Sequence, residues 1–373
     1  MKIALIGGHL SPALSVLEAL PKEAEVVFIG RKYAFEGDKA LSLEYKAVNE
    51  LKIPFWELNT GRFQRKLTKH TFSSFLKLPF GFFQAFSILM RTKPDVVVGF
   101  GGYVSIPVIF AASILRIPVV IHEQTLGAGM ANRRLSRFAK KICISWESSR
   151  KYFPQDKVVL TGNPIRNFLI SNSKFSIFNN NHPVIYITGG SSGSHFINSL
   201  IEKIIRDLLR DYNVVHQTGA ALEFQDFDRL NKIRESLPEG IKSNYILKKF
   251  INPSQVGDIL NLATLVISRS GINTVTELTY FEKPAILIPL PFAQNNEQME
   301  NARFLQRIGL GVILKQEEVD GRKLLAEIIR IMGQIGTFKI NKKEPINLST
   351  KNAAQNIVSV INYAYESKTE KKS

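Results

Sequence analysis

The stretch Ile185 to Leu200, IYITGGSSGSHFINSL, decides the fold by its order of residue types. A β-branched run ends in paired glycines, small polar residues follow, and apolar residues then recur at helical spacing. Ile3 to Leu17, IALIGGHLSPALSVL, repeats the order of strand, glycine turn and helix. Further short β-branched runs occur at Glu25–Ile29, Asp95–Val98 and Pro118–Ile121, and again at Val184–Thr188, Asn213–Gln217, Leu265–Ser268 and Ala285–Ile288. Helical stretches such as Ser194–Leu209 and Thr274–Phe281 alternate with them. Strands alternating with helices predict parallel sheets joined by right-handed crossovers. The expectation is an α/β chain of two Rossmann-like domains facing each other across a cleft. The polar stretch Ser171–His182 reads as the linker, giving domains of residues 1–168 and 182–349. A C-terminal helix of about residues 350–366, centred on Ala353–Tyr365, is expected to pack back on the first domain. The charged tail KTEKKS after it is expected to be disordered.

Composition narrows the class. The 373 residues are 45% hydrophobic and 22% charged, which excludes a disordered chain. A single cysteine, Cys143, excludes a disulfide framework and a cysteine-rich metal site. The N-terminus lacks the apolar run and cleavage site of a signal peptide, so a reducing cytoplasm is expected. Val96–Leu115 is uncharged and long enough to span a bilayer. Its Gly99, Gly101, Gly102 and Pro107 instead predict a buried strand, a glycine turn and a helix starting near Pro107.

The net charge is +17, with 49 Lys and Arg against 32 Asp and Glu. Residues 1–170 carry 24 basic and 12 acidic side chains, so most of the excess lies there. No acid occurs between Leu58 and Pro94, which contains Arg62, Arg65, Lys66, Lys69, Lys77, Arg91 and Lys93. Phe63, Phe72, Phe75, Phe80, Phe82, Phe83 and Phe86 interleave with them. Such a greasy stretch under a basic rim suits an anionic membrane surface better than nucleic acid, which is not an expected partner. The competing reading makes most of these Phe residues core. Pro79 and Gly81 are expected to break the stretch into two short segments.

Candidate chemistry gathers at strand ends. The turn Gly189-Gly190-Ser191-Ser192-Gly193 opens a helix and can hold an anion such as phosphate. Ser268-Arg269-Ser270-Gly271-Ile272-Asn273-Thr274 offers a second such start, and Glu277 lies one helical turn after Asn273, in reach of a ribose diol. The bland alternative makes Asn273 or Thr274 a helix cap and Glu277 a first-turn acid. Gln298 and Asn301 follow a proline-rich loop and can read sugar hydroxyls. In the first half His122, Glu123 and Asn132 lie at and after a strand end, Arg166 suits a diphosphate, and His9 beside Gly7 and Gly8 suits a general base. Asp226-Phe227-Asp228 resembles a metal-binding pair but has no strand before it. It reads as a solvated helix start, and no metal is expected.

Six stretches, GFGGYVSIPVIFAA, IHEQTLGAGMANRRL, TGNPIR, ITGGSSGS, SRSGINTVTELTYFEKPAILIPLP and EQMENARFL, stand in the order found in the MurG family of bacterial peptidoglycan glycosyltransferases. The chain resembles that family over nearly its whole length. The resemblance implies a glycosyltransferase-B architecture and inverting transfer of N-acetylglucosamine from UDP-N-acetylglucosamine to lipid I, a polyprenyl-diphosphate acceptor. It implies no cofactor and a peripheral place on the cytoplasmic face of the bacterial cell membrane. Carried over by position, Arg166, Gly190 and Ser191 meet the donor diphosphate, the Ile251 backbone the uracil, Glu277 the ribose and Gln298 the sugar. Ile272, Asn273 and Thr274 belong to the same donor site. Gly7, Gly8, His122, Glu123 and Asn132 fall on the acceptor side, with His9 the candidate base. One departure concerns the first loop, which has the form GGTGGH in the family and only Gly7-Gly8-His9 here. It motivates an alternative, a transferase with another lipid acceptor. A UDP-N-acetylglucosamine 2-epimerase and a non-catalytic nucleotide-sugar-binding protein are the further alternatives.

Overall fold

The structure is a computed structural model that describes residues 1–33, 41–59, 69–165, 178–190, 192–219, 223–293, 296–341 and 352–369. The chain forms two compact units, Met1–Arg166 with Asn347–Ser373, and Asn167–Ile346.

The first unit runs β1 (Lys2–Ile6), α1 (Leu10–Ala19), β2 (Glu25–Gly30), α2 (Leu43–Glu50), β3 (Phe55–Glu57) and α3 (Lys69–Thr92). It continues β4 (Val96–Gly99), α4 (Ser105–Ile114), β5 (Val119–Glu123), α5 (Met130–Leu135), β6 (Lys141–Ile144) and β7 (Val158–Leu160). All its strand pairs are parallel, in the order β3-β2-β1-β4-β5-β6-β7. Ile3, Ala4, Leu5 and Ile6 are all fully buried, as an unbroken apolar run must be when helices cover both faces of a parallel sheet.

The second unit runs β8 (Val184–Thr188), α6 (His195–Asp211), β9 (Asn213–Gln217), α7 (Asp226–Glu235), α8 (Glu239–Lys242), β10 (Tyr245–Lys248) and α9 (Pro253–Leu262). It continues β11 (Ala263–Ser268), α10 (Ile272–Tyr280), β12 (Ala285–Leu287), α11 (Glu297–Arg307), β13 (Gly311–Ile313) and α12 (Gly321–Gly333). Its sheet order is β10-β9-β8-β11-β12-β13, again parallel. Ile197, Ile201, Ile204, Ile205 and Leu208 bury one face of α6, and Ser194 caps it by accepting from Ile197 N–H. Each such side chain contributes about 1.5–3 kcal/mol.

The last helix, α13 (Ala353–Thr369), belongs to the first unit. Ile357, Ile361 and Ala364 are fully buried in one cluster with Ile3, Leu5, Val96 and Val98, and Asn356 Nδ2 donates to Thr161 O at 3.2 Å.

Strand order reverses between β1 and β4 in the first sheet and between β8 and β11 in the second. Open parallel sheets bind ligands in the crevice at that reversal, beyond the carboxyl ends of the strands. The paired glycines found in the sequence sit at both reversals.

Several local expectations are corrected. Pro79 does not split its stretch: α3 is one helix of 24 residues. The proline costs one hydrogen bond and some crowding, about 3 kcal/mol. The half of α3 beyond it buries Ala85, Ile88 and Leu89 and packs on α4, which holds the helix through the defect. The helix after the Gly99–Gly102 turn starts at Ser105. Lys368 and Thr369 extend α13 rather than joining a disordered tail, and residues 370–373 lie outside the described ones. Of the linker, Asn180 is fixed in the second unit by bonds to Asn213 and Asn244, and residues 171–177 lie outside the described ones. Asp226 is a buried helix start, not a solvated one. Its oxygens accept from His195, Asn198 and Arg229, whereas Asp228 is exposed.

Candidate functional site

In the second unit the turn after β8 is built around glycine. Gly190 and Gly193 have φ of +84° and +81°, values that side chains rarely adopt. A Cβ on Gly193 would lie 2.8 Å from the Gly219 Cα, so the turn packs directly on the chain leaving β9. Thr188 Oγ1 accepts from Gly190 N–H at 3.0 Å, and Gly193 N–H donates to Gly190 O at 3.1 Å. Arg269, at the end of β11, donates to Ser194 Oγ at 3.1 Å, to Ile288 O at 2.9 Å and to Gln316 Oε1 at 2.8 Å. Its burial lowers the guanidinium to about 10. Arg269 thus holds β11, β12 and the start of α6 at one crevice. Ser191 and Arg166 lie outside the described residues.

The helix α10 begins after Gly271 with no side-chain cap, so neither Asn273 nor Thr274 is the residue that caps it. Asn273 is exposed, Thr274 half-buried and Ile272 buried. Glu277 lies beyond the first turn. Burial pushes its carboxyl up to about 7, and no hydrogen bond from a described residue reaches it. Glu277 is half-buried, and an acceptor without a partner among the described residues is what a pair of ribose hydroxyls would satisfy. Gln298 Oε1 accepts from Leu290 N–H at 3.0 Å, its own carbonyl accepts from Ser270 Oγ at 2.7 Å, and Asn301 donates to Ser270 O. The loop before α11 is therefore tied to the turn after β11. Ile251 is buried and lines a cavity of 720 Å³ with Leu247, Lys248, Phe250, Asn252 and Gln255.

In the first unit Gly7, Gly8 and His9 meet Phe100, Gly101 and Gly102. His9 N–H donates to Phe100 O at 3.3 Å, and a Cβ on Gly101 would lie 3.2 Å from His9 Cδ2 and 3.4 Å from Asn132 Nδ2. Gly101 has a φ of +81°, so glycine serves here both for conformation and for close approach. Burial lowers the His9 pKa and the nearby Glu123 charge partly restores it. The imidazole is thus neutral at neutral pH, and the Glu123 charge favours its protonated form.

Glu123 is 1% exposed and fully bonded. Oε1 accepts from Thr125 N–H and Oγ1 at 3.0 and 2.6 Å, and Oε2 accepts from Gly129 N–H and Asn132 Nδ2 at 2.9 and 3.0 Å. It sets the loop between β5 and α5 and acts on His9 through its field. Asn132 Oδ1 is buried without a partner among the described residues. His122 is 1% exposed and bonded to Ser145 Oγ at 3.0 Å, and burial drives its pKa down to about 3. It is a core imidazole under the site.

Residues not singled out from sequence complete the first unit's crevice. Glu44, on α2, places a buried, unbonded Oε2 against Gly7 and Gly30, and burial pushes its carboxyl up to about 7. Arg31 donates to the Tyr103 hydroxyl and stands over its ring at 5.6 Å. Tyr103 lies inside the quoted GFGGYVS stretch, but Arg31 and Glu44 come from other elements and carry no local signal. Among the described residues no three His, Cys, Asp or Glu side chains form a group that could hold a metal.

Two parallel sheets, each with a glycine turn at its reversal, have the architecture of a two-domain nucleotide-sugar enzyme, and the family models make it a glycosyltransferase. The glycosyltransferase family 28 N-terminal domain matches residues 6–144 and its C-terminal domain residues 184–357. The chain belongs to the MurG family of N-acetylglucosamine transferases within it. A Halalkalibacterium halodurans protein is 33% identical over 360 residues, covering 94% of this chain and 95% of its own. It is named UDP-N-acetylglucosamine--N-acetylmuramyl-(pentapeptide) pyrophosphoryl-undecaprenol N-acetylglucosamine transferase. The crystal structure of Acinetobacter baumannii MurG aligns with a TM-score of 0.70 at 26% identity, over 97% of this chain and 100% of that one. A UDP-GlcNAc 2-epimerase from Neisseria meningitidis aligns over the same share of each chain with a TM-score of 0.65, but at 16% identity it shares the fold alone.

Proposed function

We propose that this protein transfers N-acetylglucosamine, with inversion, from UDP-N-acetylglucosamine to the undecaprenyl-diphosphate-N-acetylmuramoyl-pentapeptide acceptor. The observation that carries the reading is the pair of glycine turns at the two sheet reversals, in a chain related end to end to transferases named for that reaction. The second domain, residues 182–349, holds the donor. Gly190, Ser191 and Arg166 take the diphosphate, Ile251 the uracil, Glu277 the ribose, and Gln298 the sugar, with Ile272, Asn273 and Thr274 at the start of α10 beside it. The first domain, residues 1–168, holds the acceptor around Gly7, Gly8 and Asn132. His122 and Glu123 support that site from beneath.

The His9 imidazole takes the proton of the acceptor hydroxyl as its oxygen attacks the anomeric carbon. The bond from that carbon to the diphosphate breaks, and UDP leaves with the electron pair. Helix N-termini and cationic side chains stabilise the charge that develops on it. No metal ion is required.

The acceptor's lipid stays in the bilayer while the first domain docks on the anionic cytoplasmic face. Phe80 and Phe83 on α3 are 61% and 68% exposed, and Phe110 and Ile114 on α4 are 45% and 53% exposed. Phe82 joins the two helices, its ring 5.4 Å from Phe83 and 5.5 Å from Phe110. Arg91, Lys93 and Arg116, at and just beyond the ends of the same two helices, are exposed. Among the described residues no helix is long and apolar enough to cross a membrane. Arg62, Arg65 and Lys66 lie outside the described residues.

Incubation with labelled UDP-N-acetylglucosamine tests the assignment, using lipid I, diacylglycerol or no acceptor, with and without EDTA. Transfer to lipid I that survives EDTA is expected. Transfer to another lipid alone, or free UDP and N-acetylmannosamine without acceptor, would overturn it.

A further inference from the structure

Gln217 is the last residue of β9 and is 5% exposed. Its Nε2 donates to Gly190 O at 2.9 Å and to Thr188 Oγ1 at 3.2 Å. Its Oε1 accepts from Ile251 N–H at 2.9 Å. One planar amide therefore ties the glycine turn after β8 to the loop after β10. Strand β9 lies between β8 and β10 in the sheet, so a side chain at its end can reach both neighbours.

We propose that Gln217 is a positioning residue that sets base and diphosphate recognition as one unit and so determines which nucleotide the donor carries. The inference rests on the donor assignment above, in which Gly190 meets the diphosphate and Ile251 the base.

The chemistry requires an amide. Gly190 O needs a donor and Ile251 N–H needs an acceptor, and a carboxamide supplies both from one rigid group. An ionised carboxylate would set an oxygen against Gly190 O, and an aliphatic side chain would leave the buried Ile251 N–H without its acceptor and Gly190 O with the Gly193 N–H alone. The peptide before Ile251 is planar and trans, so an N–H aimed at Gln217 turns the Phe250 carbonyl the opposite way. Gln217 thereby fixes which polar group of that peptide faces away from it. A uracil edge carries an imide N–H between two carbonyls, whereas a cytosine edge carries an acceptor nitrogen beside an amino group. A locked peptide matches one of these edges and opposes the other. A released peptide can turn to suit either.

The test uses the full chain and two variants, Gln217→Leu and the isosteric Gln217→Glu. Calorimetric titration with UDP and with CDP gives a ratio of affinities, and steady-state transfer gives KM and kcat. Each variant is expected to lose about tenfold or more of the UDP preference and to raise donor KM, with kcat changed less than KM. A structural role alone would lower the melting temperature or the active fraction and leave the UDP-to-CDP ratio intact. If the Leu variant does not fold, the Glu variant is read by the same ratio. A folded variant whose ratio stays within twofold of the parent overturns the inference. Glu277→Gln, titrated in parallel, separates the two failures. If it weakens UDP while the Gln217 variants keep the ratio, only the coupling role falls. If neither affects UDP, the donor assignment falls with it.

Discussion

Replacing Glu277 by Gln should make the protein more stable at high pH while weakening its donor binding. Burial raises the folded-state carboxyl from 4.5 to about 7. Between those values the folded chain binds the proton more tightly than the unfolded chain, so this group's contribution falls as pH rises. Below about 4.5 both states are protonated and the glutamate costs nothing. Above about 7 the folded state holds a desolvated carboxylate, at a cost of about 3 kcal/mol at most, since one tenfold change in proton affinity is about 1.4 kcal/mol. The carboxamide has nearly the same shape and no charge. Thermal melts of parent and variant between pH 4.5 and 8.5 should therefore coincide at the acid end and diverge as pH rises. In the second unit's melting step the variant should gain about 6–12 °C, at roughly 2–4 °C per kcal/mol for a unit of this size. Other groups, Glu44 among them, titrate in both proteins and cancel in the difference. Donor binding should move oppositely. Ribose hydroxyls donate best to the ionised form, so parent affinity for UDP should rise from pH 6 to 8, while the variant's stays low and flat. A melting difference that does not change with pH would refute the reasoning.

Three further outcomes follow from the packing. Gly193→Ala places a methyl group against Gly219 at φ +81° and should lower the second unit's melting temperature sharply, whereas Gly127→Ala, with nothing within 4 Å, should leave melting unchanged. Glu123→Gln sets an amino group among buried donors and should cost about 3 kcal/mol in denaturant titration. It should also move the acid limb of the kcat profile to lower pH, because Glu123 is what raises His9, and a fixed limb would clear Glu123 of that role. Phe83→Ser should weaken binding to anionic vesicles about tenfold or more, and added salt should weaken the parent's binding, as measured by co-sedimentation.

Legibility in the sequence followed burial and chain distance. Long apolar runs such as Lys2–Ile6 and Val184–Thr188 announce themselves as strands because both faces are covered. The strands Phe55–Glu57, Val158–Leu160 and Gly311–Ile313 have three residues each, too few for a period to show, and take their shape from neighbours in the sheet. Pro79 misled because local propensity predicts a break, whereas packing on α4 decides the outcome. The glycine turns were legible since their chemistry is local. Gln217, Arg31 and Glu44 were not, because each is a lone polar residue whose partner lies tens of residues away. The Asn273 and Thr274 alternative, a helix cap, was removed only by the backbone, which starts α10 at Gly271 without a side-chain bond.

The return of α13 to the first unit has a consequence for biosynthesis. Ile357 and Ile361 complete the core around Ile3 and Leu5, so a chain still emerging from the ribosome has an unfinished first unit until α13 has been made. The second unit is continuous in sequence and can close beforehand. Half-made chains thus expose the apolar face that α13 will cover, a natural target for chaperones and proteases, and a truncation before Ala353 forfeits the first domain while sparing the second.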